Sequence, residues 1–123
     1  MADKQIPHGE LESVRDAVRA WAHACGEDHP RNVQVVYTTR SAATELLHPG
    51  ATADPQPCYF VTLEGGFDLP LTPEAPRRTG SWAALYINAE TMQVSSLTVR
   101  PHEYVPSHLP LDELGQVYTI NFG

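Results

Sequence analysis

Apolar residues recur at Leu11, Val14, Val18, Trp21 and Cys25, a three-and-four spacing that lines one face of an α-helix over Glu10 to Cys25. Glu10 and Glu12 fall in its first turn, where carboxylates suit the positive end of the helix dipole, and Gly26 follows as a C-terminal stop. Arg15, Asp16 and Arg19 then face water. Beyond this segment the period changes. Val33 to Thr39 and Cys58 to Glu64 are rich in β-branched and aromatic residues, as strands are. Ser81 to Asn88 and Met92 to Val99 read as a hairpin turning at Asn88-Ala89-Glu90-Thr91, and Val117 to Ile120 as a short edge strand.

Prolines punctuate the rest. Ser41 to Pro57 reads as a loop with room for one helical turn at Ala42 to Leu47. Gly65 to Gly80 reads as a long excursion between paired strands, its Gly65-Gly66 marking a strand exit with unusual backbone angles. The tail from Arg100 to Gly115 reads as a solvated connector. The expected fold is therefore α+β: one N-terminal helix packed on a curled antiparallel sheet of four to five strands, a single domain over residues 1–123 with 1–9 flexible.

Composition narrows the partners. The 123 residues carry 15 acidic and 8 basic side chains, a formal charge of −7, which disfavours a phosphate backbone, so no nucleic acid is expected. No stretch approaches the roughly 20 apolar residues of a membrane span, so no transmembrane segment is expected either. The first nine residues are polar and contain Pro7, unlike a secretory leader. That fits a cytoplasmic chain if Met1 is native, and an extracytoplasmic one if this is a mature domain. Cys25 and Cys58 read as two buried thiols, with a bridge between them as the lesser alternative.

The segment Tyr86-Ile87-Asn88-Ala89-Glu90-Thr91-Met92-Gln93-Val94 resembles the closing hairpin of PepSY and related cystatin-like domains, which reads Asp-Ala-x-Thr-Gly-x-Val after an apolar strand. Here Asn88 replaces the Asp and Met92 the Gly. Cys58 to Val99 is also similar to small actinobacterial proteins with a strand, a proline-rich loop and a hairpin. The resemblance implies a helix cradled by a sheet and a non-enzymatic binding or inhibitory module, often outside the cytoplasm.

Candidate chemistry is sparse. His23-x-Cys25-x-x-x-His29 has ligand types, but on a helix His23 stands about 200° from Cys25, so no metal is expected there. No cofactor motif is present; Gly65-Gly66 lacks the spacing and the Lys of a phosphate loop. Arg77-Arg78 form an adjacent basic pair suited to an anion or a partner. Trp82 and Tyr86 share one strand face; if the helix covers Ala83, Leu85 and Ile87, they form an open aromatic patch. His102 and Glu103 could line a pocket. The favoured function is a small non-catalytic module recognising a protein or peptide. Its rival is a cystatin-like or NTF2-like pocket between helix and sheet that binds or converts a small molecule. An unprotected edge strand could also pair two copies into a homodimer.

Overall fold

A computed structural model describes residues 8–69, 78–100 and 109–120. The first helix, α1 (His8–Ala24), ends where its C-terminal glycine demands. Gly26 adopts φ 85, its N–H donates to His23 O (3.0 Å), and the Glu27 N–H donates to Ala22 O (2.8 Å). These two bonds close a Schellman motif, which satisfies carbonyls the helix leaves open. The helix starts at His8 rather than Glu10, so residues 8 and 9 belong to it; residues 1–7 lie outside the described residues.

The chain continues through β1 (Arg31–Thr39), α2 (Arg40–Leu47), β2 (Pro57–Leu69), β3 (Arg78–Asn88), β4 (Val94–Arg100) and β5 (Val117–Ile120). The strands form one curled antiparallel sheet in the order β4-β3-β2-β1-β5. An N-terminal helix on an antiparallel sheet is the α+β architecture expected, with β5 in the anticipated edge position against β1.

Strand side chains alternate between faces. One set, Val33, Val35, Tyr59, Val61, Leu63, Ala83, Leu85 and Ile87, packs beneath Val14, Val18 and Ala22 of α1 and Cys25 just after it, all at 2% exposure or less. Leu11 and Trp21 complete the α1 stripe while partly buried, and Trp21 stacks at a tilt on Phe67, with centroids 5.2 Å apart. Arg15 departs from the expected solvent face: it is half-buried, whereas Asp16 and Arg19 are exposed.

The opposite set, Val36, Cys58, Phe60, Trp82, Ala84 and Tyr86, forms a second core with Ala43 and Leu47 of α2 and Leu111. One expectation is extended here and another corrected. The helical turn at Ala42 to Leu47 is an eight-residue helix, capped by Thr39, whose Oγ1 accepts from the Ala42 N–H (3.2 Å). The tail is not wholly a solvated connector: Leu109, Leu111 and Leu114 return over the sheet.

The stretch Gly65 to Gly80 differs from the expected excursion at both ends, while residues 70–77 lie outside the described residues. β2 runs on to Leu69 and β3 begins at Arg78, with Phe67 opposite Gly80 and Leu69 opposite Arg78. Gly65 and Gly66 therefore sit at a bulge within the strand, not at its exit, and neither has positive φ. Gly65 is needed because a Cβ there would lie 2.6 Å from Glu27 Oε1. That carboxylate accepts from the Gly66 N–H (2.7 Å) and the His29 N–H (3.1 Å), which latches the α1–β1 loop onto the bulge. Both bonds hold the Glu27 carboxyl below its ordinary range.

Candidate functional site

The open aromatic patch anticipated at Trp82 and Tyr86 does not exist. The helix α1 does cover Ala83, Leu85 and Ile87, but α2 and the Leu109–Leu114 return cover the other face, leaving Trp82 at 7% and Tyr86 at 5% exposure. Arg100 stacks over the Trp82 ring, 5.6 Å from its centroid. What remains on this side is a small cleft at the edge of the second core.

Its construction follows from α2. Ala43 and Leu47 turn one stripe of the helix into the core, and Arg40, Thr44 and His48, at intervals of four, place another stripe over β3 and β4. Thr52 and Ala53, from the proline-bounded loop after α2, close one wall; Tyr86 and Thr98 form the floor. The cleft is open to solvent on one side and has a volume of about 230 Å³. The Glu45 carboxylate is turned away and accepts from the Gly50 N–H (3.1 Å), which holds the loop closed.

Within the cleft the Arg40 guanidinium lies 5.9 Å from the Tyr86 ring centroid, a cation–π placement that fixes the charge above the floor. Thr44 Oγ1 donates to Tyr86 Oη across 3.5 Å, which leaves the phenol proton free to donate onward. Among the described residues, every polar side chain lining the cleft is a guanidinium, an imidazole or a hydroxyl, and none is a carboxylate. On a chain of net charge −7, this is a local reversal of sign.

A second concavity, about 360 Å³, runs along the outer side of α1 between Asp16, Arg19, Ala20, His23 and Asp28. It is an open groove of mixed charge, in which His23 Nδ1 donates to Asp28 Oδ1 (2.7 Å). His23 is thereby engaged on the surface while Cys25 is 2% exposed in the core, the separation that helical geometry dictates.

The thiols are structural. Cys25 and Cys58 are both free and buried, and they belong to cores on opposite faces of the sheet. Burial pushes Cys58 up to about 11, against the opposing influence of Arg40, and desolvation followed by the Asp68 charge raises Cys25. Both therefore favour the thiol over the nucleophilic thiolate at neutral pH. Tyr59, 1% exposed, is pushed to about 12 by burial and by the Glu10 carboxylate, to which its hydroxyl donates.

Of the residues singled out by sequence, Trp82 and Tyr86 are packed into the second core, and only Tyr86 reaches the cleft. Arg78 opens β3 opposite Leu69. Arg77, His102 and Glu103 lie outside the described residues. Sequence reading missed Arg40, Thr44 and His48; their four-residue spacing after the capping Thr39, opposite Ala43 and Leu47, is the signal that could have found them. No family model, curated protein or solved structure matches the chain.

Proposed function

We propose that this chain is a small non-catalytic binding module that recognises a protein or peptide partner through the α2 side of its sheet. One observation carries this reading: the cleft over Tyr86 gathers Arg40, His48 and three threonine hydroxyls with no acidic side chain among the described residues of its lining, an arrangement built to hold a group rather than to transform one. Two further features support it. The cysteines that could serve as nucleophiles are committed to packing. The space between α1 and the sheet, where a cystatin-like or NTF2-like pocket would sit, is occupied by Val14, Val18, Tyr59, Val61 and Leu85, each at 1% exposure or less.

The PepSY-like turn also has its backbone counterpart. Asn88 Oδ1 accepts from the Glu90 and Thr91 N–H groups (2.8 and 3.1 Å), and Met92 stands at φ 60, the left-handed region that the motif's glycine favours. This supports a shared turn geometry and leaves the role to the cleft.

The test is a photo-reactive residue at Thr52, on the wall of the cleft. A discrete polypeptide adduct that disappears when Arg40→Glu is added supports the module. Adducts indifferent to Arg40→Glu, together with a metabolite that raises the melting temperature and is chemically altered, would replace it with the pocket reading.

A further inference from the structure

The chemistry of the cleft identifies what it holds. A guanidinium donates without accepting, and an imidazole N–H or a hydroxyl can be turned toward an anion, so a lining with Arg40, His48, Thr52, Tyr86 and Thr98 offers convergent donors to an oxyanion. A cationic group would meet the fixed charge of Arg40 and no carboxylate among the described lining residues. An apolar group would leave the hydroxyls unpaired, which is costly where water is displaced.

Size sharpens the choice. At about 230 Å³ the cleft is smaller than the roughly 300–1,000 Å³ of pockets that enclose drug-sized ligands. It accommodates one functional group with a few attached atoms. The Arg40 backbone N–H donates to Gln56 O (2.8 Å), which fixes where the side chain starts, and its guanidinium lies 5.9 Å from the Tyr86 ring centroid. The ring contact orients the guanidinium toward the cleft before an anion arrives, and such preorganisation favours binding.

We infer that the cleft between α2 and the β3–β4 strands is a carboxylate-binding site, with Arg40 as the charged anchor, the Tyr86 and Thr52 hydroxyls as orienting donors, and Thr44 positioning Tyr86 by donating to its Oη. This rests on the binding-module reading. The carboxylate belongs to a polypeptide, as an acidic side chain or chain terminus, or to a free small acid; the chemistry is the same, and tighter binding of the free-acid peptide than of acetate marks the polypeptide source.

The experiment follows backbone amide signals of the full chain during titration with sodium acetate, with a short peptide bearing a free C-terminal carboxylate, and with the same peptide amidated, all at matched ionic strength. Acetate and the free-acid peptide are expected to shift the amides of residues 40, 44, 48 and 52, and the amidated peptide to leave them in place. Arg40→Met keeps the aliphatic stem over Tyr86 and removes the charge; it is expected to weaken binding by about tenfold or more, the usual weight of a charge-assisted hydrogen bond. Tyr86→Phe is expected to weaken it by a smaller factor while leaving the amide spectrum of the second core intact. Equal shifts from sodium chloride, or equal affinity in Arg40→Met and the parent chain, would overturn the site.

The two proposals fail differently. Polypeptide adducts at Thr52 with no carboxylate response overturn this site and spare the module. Acetate binding without any polypeptide adduct supports the site and overturns the module.

Discussion

The two faces of the sheet are built from the same strands and differ in what covers them. On one, the long α1 lays a continuous apolar stripe on residues of β1, β2 and β3, and the contact is closed. On the other, α2 is only eight residues long, and its cover is shared with Leu109, Leu111 and Leu114 from a distant part of the chain. Two short pieces do not close a surface as one helix does, and polar side chains line the gap between α2, its following loop and the β3–β4 strands. A face covered by one continuous element becomes core; a face covered piecemeal keeps a cleft.

Consecutive residues of β3 test that contrast most severely. Leu85 is fully buried on the α1 face, and Leu85→Ala should cost about 3 kcal/mol through lost burial and the cavity left behind, read as a lower midpoint in urea unfolding. An effect no larger than that of a surface substitution would mean the α1 face is looser than its packing indicates.

The alkaline limb of stability sharpens the comparison next. The Cys58 pKa is raised from its ordinary 9.0 to about 11 in the folded state. A raised folded pKa confers stability that is complete below the unfolded value and lost as pH climbs through the folded one, so the loss falls between about pH 9 and 11. A tenfold difference in proton affinity between the two states is worth about 1.4 kcal/mol, so Cys58→Ala should remove roughly 2 kcal/mol of that pH dependence, measured by unfolding at pH 8 and pH 11. An unchanged slope in Cys58→Ala would show that the second core is wet.

The latch beneath α1 gives a smaller effect of opposite pH sign. Gly65→Ala drives a Cβ against Glu27, which displaces a flexible side chain rather than backbone. The cost is about 1 kcal/mol for the hydrogen bonds surrendered. Because those bonds lower the folded pKa of Glu27, their contribution is present above its ordinary value of 4.5 and is lost as pH falls through the folded one. Acid unfolding of Gly65→Ala should accordingly be less steep than that of the parent chain.

Smallest in stability is Tyr86→Phe, on the residue next to Leu85 but facing the other way. Among the described residues its hydroxyl accepts one long bond, from Thr44, so thermal unfolding should move by less than about 1 kcal/mol, although the same change weakens the carboxylate response. A large destabilisation would recast Tyr86 Oη as a structural group and remove it from the site.

The α1 face was readable because its order is local. A three-and-four spacing over sixteen residues and a closing glycine state both the helix and its buried side, and Cys25 took its packing role from that stripe alone. The strands were readable for the same reason, apart from the extension of β2 and β3 through the Gly65-Gly66 bulge, where glycine in a strand looks like glycine in a turn. The second face was not. Trp82 and Tyr86 looked uncovered because their lid comes from Leu111, some 25 residues away across a proline-rich tail, and such closure leaves no periodic trace. The cleft residues were overlooked because two turns of helix between Thr39 and Pro49 carry too few positions to announce a pattern.

Paired placement of a photo-reactive residue tests the contrast most directly, at Thr52 on the α2 side in one variant and at Ala20 in the α1 groove in another. The predicted result is a polypeptide adduct from Thr52 that a free carboxylate suppresses, with no adduct from Ala20. Capture from Ala20 with none from Thr52 would contradict it, and would move recognition to the outer surface of α1.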